Sequence, residues 1–82
     1  MHHVYILYSK FLDRYYVGST ENIEERLRRH NSNHKGFTGR AADWKIIYKE
    51  DLPDKQSGLA REKQIKNWKS RIMIEKLIHS NA

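Results

Sequence analysis

Eighty-two residues, 38% of them hydrophobic and none of them cysteine, leave room for one small domain with a modest core and exclude both a disulfide framework and a thiolate metal site. The formal charge of +6 points to a polyanionic partner, nucleic acid first, with a merely solvated basic face as the plainer explanation. The apolar run Val4-Tyr5-Ile6-Leu7 is too short for a signal peptide or a membrane span, so the expectation is a cytoplasmic protein with no membrane partner.

Val4 to Tyr8 is nearly continuous in apolar residues and reads as a strand covered on both faces. His2 and His3 ahead of it are too few to identify an expression tag. Lys10 to Asp13 connects this strand to a second over Arg14 to Val17, which Gly18 ends. Asn22, with Glu25 three residues on, has the capping-box pattern of a helix running to His30. Ile23 and Leu27 mark the buried stripe of that helix, and Arg26 and His30 lie beside it, aimed at the tyrosine-bearing strand.

Asn31 to Asp43 has no period and reads as a loop, with Phe37 as an apolar plug beneath it. Trp44, Ile46 and Tyr48 alternate with Lys45, Ile47 and Lys49 as a third strand. Pro53 then turns the chain, Ser57 caps a second helix through Trp68, and Leu59, Glu62 and Ile65 share its apolar stripe. Ser70 starts a third helix that packs through Ile72, Met73, Ile74, Leu77 and Ile78. The order β-β-α-β-α-α over residues 1–82 gives an α+β domain, a three-stranded, largely antiparallel sheet packed with helices.

Several chemistries lack their parts. The histidines are scattered without zinc-ligand spacing, no G-x-S-x-G pattern sets up a nucleophile, and Gly36 and Gly39 do not form a phosphate-cradling loop. Glu62 is costly on an apolar stripe unless satisfied. A salt bridge to Arg26 or a neighbouring lysine would satisfy it, and so would a divalent ion completed by water and phosphate oxygens. The remaining set of tyrosine, histidine, arginine and glutamate on a basic surface suits attack on a phosphodiester. A tyrosine or histidine takes a proton from water, an arginine neutralises charge on phosphate, and a metal stabilises the leaving oxygen.

Taken together, these residues resemble the GIY-YIG nuclease superfamily. Its first strand motif appears as Val4-Tyr5-Ile6-Leu7 and its second as Tyr16-Val17-Gly18, each keeping its tyrosine and the second its glycine. Arg26 matches the arginine of the following helix, His30 the histidine or tyrosine one turn later, and Glu62 the metal-binding glutamate of a later helix. The run from Ser19-Thr20 to Asn31 and the run Leu59-Ala60-Arg61-Glu62-Lys63-Gln64-Ile65-Lys66 look like the small single-domain bacterial members, similar to the N-terminal nuclease domain of the bacterial repair excinuclease.

The resemblance implies a divalent-metal-dependent endonuclease acting on DNA, in repair or recombination, with one Mg²⁺ or Mn²⁺ on Glu62. Tyr5 becomes the general base or the group that positions water. Tyr16 and His30 orient the nucleophile or help to deprotonate Tyr5, and Arg26 clamps the scissile phosphate. The family's later asparagine is absent, because Ile74 stands at that offset. That departure motivates a second reading, a non-catalytic nucleic-acid-binding module, with RNA as another substrate and a protein partner in a repair complex as a further role. Arg28, Arg29, Lys35, Arg40, Lys63 and Lys66 are the expected nucleic-acid contacts, made to phosphate rather than to base edges.

Overall fold

A computed structural model describes residues 1–32 and 36–80, with Phe37 described through its backbone. The plug expected at the Phe37 side chain and the contact expected at Lys35 lie outside the described residues. Three strands, β1 (His2–Ser9), β2 (Arg14–Thr20) and β3 (Lys45–Leu52), and three helices, α1 (Ile23–His30), α2 (Lys55–Asn67) and α3 (Arg71–Ser80), follow one another as β-β-α-β-α-α, with a single 3₁₀ turn at Phe37–Arg40 before β3. The sheet is antiparallel throughout, in the order β2-β1-β3. The expected α+β architecture is therefore the observed one.

The central place of β1 explains its unbroken apolar run. Val4 and Ile6 face a core completed by Val17, Tyr48 and Ile65, against which Trp68, Ile74, Leu77 and Ile78 of the α2–α3 layer pack. Tyr5 and Leu7 face the opposite core with Trp44, joined by Tyr16, Ile23, Leu27 and Ile46 on the α1 side. Each fully buried aliphatic side chain of this kind contributes about 1.5–3 kcal/mol. The small sheet thus carries helices on both faces, and β2 is the edge on which the two layers meet.

Several local expectations change. Gly18 does not end β2, because Gly18 pairs with Tyr5 and Thr20 with His3, so the ladder continues along β1. In β3 the register jumps between Ile6↔Tyr48 and Leu7↔Ile46. This bulge leaves Ile47 as the additional residue and sends Ile46 and Tyr48 to opposite cores, where simple alternation puts them on one face. Asp54, not Ser57, caps α2, since its carboxylate accepts from the Ser57 backbone N–H at 2.8 Å. Leu59 is exposed, as are Ile72 and Met73, so the packed face of α3 consists of Ile74, Leu77 and Ile78.

The two N-terminal histidines belong to the fold. His3 Nδ1 lies 2.6 Å from Asp51 Oδ1 across the sheet, and the buried ring of His2 fills the space left by Gly58 on α2. The β1–β2 hairpin is tied to α3 through Asp13, which accepts from the Tyr8 hydroxyl and from Arg71 Nη2, each at 2.7 Å. Among the described residues, no helix is long and apolar enough to cross a membrane.

Candidate active site

Tyr5 sits on the middle strand directly opposite Gly18, and the close approach of the two requires glycine there. A Cβ at Gly18 would lie 2.6 Å from Tyr5 Cζ, closer still to the phenol oxygen, and 3.1 Å from Tyr16 Cε1. The strand conformation itself makes no such demand, since Gly18 does not adopt positive φ. Tyr5 is 3% exposed, and its Oη lies 2.9 Å from Nε2 of His30.

His30 is delivered by α1. The Asn22 side chain accepts from the Glu25 N–H at 3.1 Å, and Thr20 Oγ1 accepts from the Asn22 N–H at 3.1 Å, fixing the start of the helix against the end of β2. Two turns later the imidazole is buried at the helix C-terminus, in a basic last turn that suits the negative end of the helix dipole. Its Nδ1 lies 2.8 Å from Thr38 Oγ1, so both ring nitrogens have hydroxyl neighbours. Thr38 is itself held, its carbonyl accepting from Trp44 Nε1 at 2.8 Å. The Asn31 side chain also clips the Trp44 backbone, accepting its N–H at 2.8 Å and donating to its carbonyl at 3.1 Å. Tyr16 packs on the other side of His30, with ring centroids 4.8 Å apart.

Arg26 is exposed on α1 and makes no ion pair among the described residues. It stands between two clefts. One, of about 490 Å³, is shared with Tyr16, Arg29, His30 and Thr38. The other, of about 360 Å³, is shared with Ser19, Thr20 and Lys55. Glu62 comes from α2, across the β2 edge. Its Oε1 accepts from the Ser19 hydroxyl at 2.6 Å and its Oε2 pairs with Lys66 Nζ at 2.6 Å. Lys66 Nζ lies 5.6 Å from the centroid of Tyr16 and so links the carboxylate to the aromatic group. Of the two ion pairs open to Glu62 from sequence, the structure contains the one to a neighbouring lysine.

Burial pushes the Tyr5 phenol well above its ordinary pKa, with a further upward push from Tyr16; Arg26 acts in the opposite direction, and the Glu62 charge adds a smaller upward one. The resting group is therefore a neutral phenol that feels both flanking charges.

Tyr5, Tyr16 and His30 are thus in mutual contact, Arg26 shares the cleft lined by Tyr16 and His30, and Glu62 joins through Ser19 and Lys66. Of the expected basic contacts, Arg29 lines the larger cleft, Arg40 lines a separate one beside Asn31 and Gly39, and Arg28 and Lys63 are exposed on their helices. Sequence reasoning missed Ser19 and Thr38. Ser19 becomes legible once β2 is carried through Gly18, because it then shares the α2-facing side with Val17. Thr38 lies in an aperiodic segment that gave no signal.

Among the described residues no group of three or more His, Asp or Glu side chains forms a metal cluster. Glu62 offers hard carboxylate oxygens, each with acceptor capacity beyond its contact with Ser19 or Lys66. A cation, the Lys66 ammonium, already sits against it. The donor set fits one hard divalent ion completed by water and phosphate oxygens. In comparison with known proteins, a family model described as the GIY-YIG catalytic domain matches residues 1–76, from β1 into α3. No curated protein and no solved structure matches the chain.

Proposed function

We propose that this chain, which belongs to the GIY-YIG family of nucleases, is an endonuclease that hydrolyses DNA phosphodiester bonds with structure selectivity or weak sequence preference. The observation that carries the reading is the buried 2.9 Å contact between Tyr5 and His30, beside an arginine that makes no ion pair among the described residues. A neutral phenol with a raised pKa is a poor base alone. Proton removal from an attacking water by the Tyr5 oxygen therefore runs together with transfer of the phenol proton to His30 Nε2. That transfer needs the tautomer with a proton on Nδ1, which Thr38 Oγ1 at 2.8 Å can accept. The water oxygen bonds to phosphorus as the bond to the leaving oxygen breaks, and Arg26 neutralises the charge that gathers on the non-bridging oxygens.

GIY-YIG nucleases typically use a divalent metal, and Glu62 is the residue that would hold one Mg²⁺ or Mn²⁺, oriented by Ser19. Such an ion supplies stabilisation of negative charge on the leaving oxygen. Lys66, released from Glu62, joins Arg28, Arg29, Arg40, Lys63 and Lys35 as a phosphate contact, with strong salt dependence and no base readout. A single domain of this size has little surface of its own for reading sequence. A repair or recombination role beside a protein partner, as in the excinuclease-like members, belongs to the same proposal.

Tyr5→Phe tests it on matched DNA and RNA substrates. The expected result is cleavage of DNA by the wild type and a loss of about 100-fold or more in the variant, the usual worth of a proton-transfer group, with nucleic-acid binding retained. An undiminished rate moves the base role elsewhere, and cutting of RNA alone overturns the DNA assignment.

A further inference from the structure

Along the open edge of β2, away from the Arg26 cleft, a second groove of about 420 Å³ runs between this strand and the elbow that joins α2 to α3. Tyr15 and Ile74 on the α2–α3 face and Tyr16 around the strand edge, on the α1 face, form its apolar part, and Arg14, Lys66, Lys69 and Arg71 stand around it. Among the described residues no carboxylate lines it. Lys66, paired with Glu62, lies over the Tyr16 ring at 5.6 Å, and Arg71, paired with Asp13 and Glu75, lies over the Tyr15 ring at 5.1 Å, so the cations of the groove that make no ion pair among the described residues are Arg14 and Lys69. Tyr16 also lines the candidate catalytic cleft, so the two adjoin at this residue.

Lys69 gives the groove a second distinctive feature. It follows the Trp68 cap of α2 and adopts φ 48, the left-handed conformation that at a helix C-terminus is normally left to glycine or asparagine. Lysine is disfavoured there, and among the described residues its ammonium makes no ion pair that would offset the strain. Strain held at a cleft rim by a residue whose charge faces no partner is the pattern of a ligand contact.

We propose that this groove binds a single, unpaired nucleic-acid strand continuing from the scissile phosphate, with a base on the Tyr15–Ile74 surface, Tyr16 beyond it where the groove rounds the strand edge, and phosphates at Arg14 and Lys69. In a duplex the base faces are hidden in the stack and only edges and backbone are on offer. An aromatic and aliphatic surface ringed by cations therefore fits an unpaired strand better than a paired one. The inference rests on the nuclease reading for the identity of the polymer, and its test needs no cleavage.

The test is fluorescence anisotropy with labelled oligothymidylate and with a hairpin duplex, in excess chelator, across a salt series. The wild type binds the single strand more tightly. Lys69→Gly, which relieves the left-handed residue, melts at the same or a higher temperature than the wild type. It nonetheless weakens oligothymidylate binding several-fold and lowers the salt slope by about 0.7, one phosphate contact on a single strand. Arg14→Gln, on the exposed side of the strand, gives the same loss of slope without touching the elbow. Unchanged affinity and slope in both variants would overturn the groove as a binding site. An equal loss on duplex and single strand would overturn its preference for the unpaired form. A protein that shows the predicted binding and yet cuts nothing keeps the groove and refutes the nuclease reading.

Discussion

Gly18→Ala examines the geometry most directly, because the new methyl group would be placed 2.6 Å from Tyr5 Cζ and 3.1 Å from Tyr16 Cε1. Carbon atoms pack at about 3.5–4.0 Å, so the tip of the Tyr5 ring must withdraw by roughly 1 Å or the strands must part. The 2.9 Å contact with His30 is the one that shift disturbs. Misplacement by about 1 Å costs about 100-fold in rate. Overpacking of this kind costs about 1–3 kcal/mol, while alanine in an extended strand recovers about 0.5–1 kcal/mol relative to glycine. The variant should therefore be a folded protein, destabilised in urea melts by no more than about 2.5 kcal/mol, whose single-turnover cleavage is about 100-fold slower. Cleavage at the wild-type rate by a folded Gly18→Ala protein would refute the claim that this glycine exists to admit Tyr5.

Two further outcomes follow from other parts of the molecule. Thr38→Val keeps the shape of the side chain but removes the hydroxyl that lies 2.8 Å from His30 Nδ1. It should lower kcat and shift the pH–rate profile with little change in substrate binding, and Thr38→Ser should restore both; an unaltered profile in the valine variant would leave Thr38 as packing alone. Stability should fall in acid. Arg71, then Tyr8, hold the Asp13 carboxyl down at about 2 from 3.8, Arg61 lowers Glu50, and the Ser9 hydroxyl and Phe11 N–H lower Asp43. Depressed carboxyl pKa values stabilise the folded state above the unfolded value near 4 and lose that contribution as pH falls toward 2. Thermal melts from pH 5 to pH 2 should therefore show a falling Tm, with the step reduced in Asp13→Asn; a flat Tm across that window would contradict the assignment.

How much of this was legible depended on the physical source of each feature. The order of elements followed from hydrophobic period and from punctuation, and the Asn22 cap placed α1 to the residue. The catalytic candidates came together because residues at strand and helix spacing are carried by rigid elements, Tyr5 on the central strand and His30 at the end of a capped helix. What escaped was set by pairing rather than by the segment itself. Gly18 reads as a strand end, yet β1 carries the ladder past it. The bulge at Ile47 has no local signature, and it decides which core Tyr48 enters. Ser57 reads as the cap of α2 by residue type, yet the Asp54 carboxylate supplies it by accepting from the Ser57 N–H. Ile72 and Met73 look like core by composition and are surface by geometry. Thr38 reaches His30 only through the loop conformation fixed by Asn31 and Trp44, which no period encodes.

The central claim is that Glu62, on the far side of the edge strand from Tyr5, completes a single phosphodiester-cleaving site. The measurement that tests it most directly is a Mg²⁺ and Mn²⁺ titration of cleavage on labelled duplex, single-stranded, nicked and branched DNA, with Glu62→Ala beside the wild type. The account predicts metal-dependent cuts by the wild type, their disappearance in the variant and retained nucleic-acid binding in both. Equal metal-dependent cleavage by Glu62→Ala, or salt-sensitive binding with no cuts by either protein at any metal concentration, would contradict it.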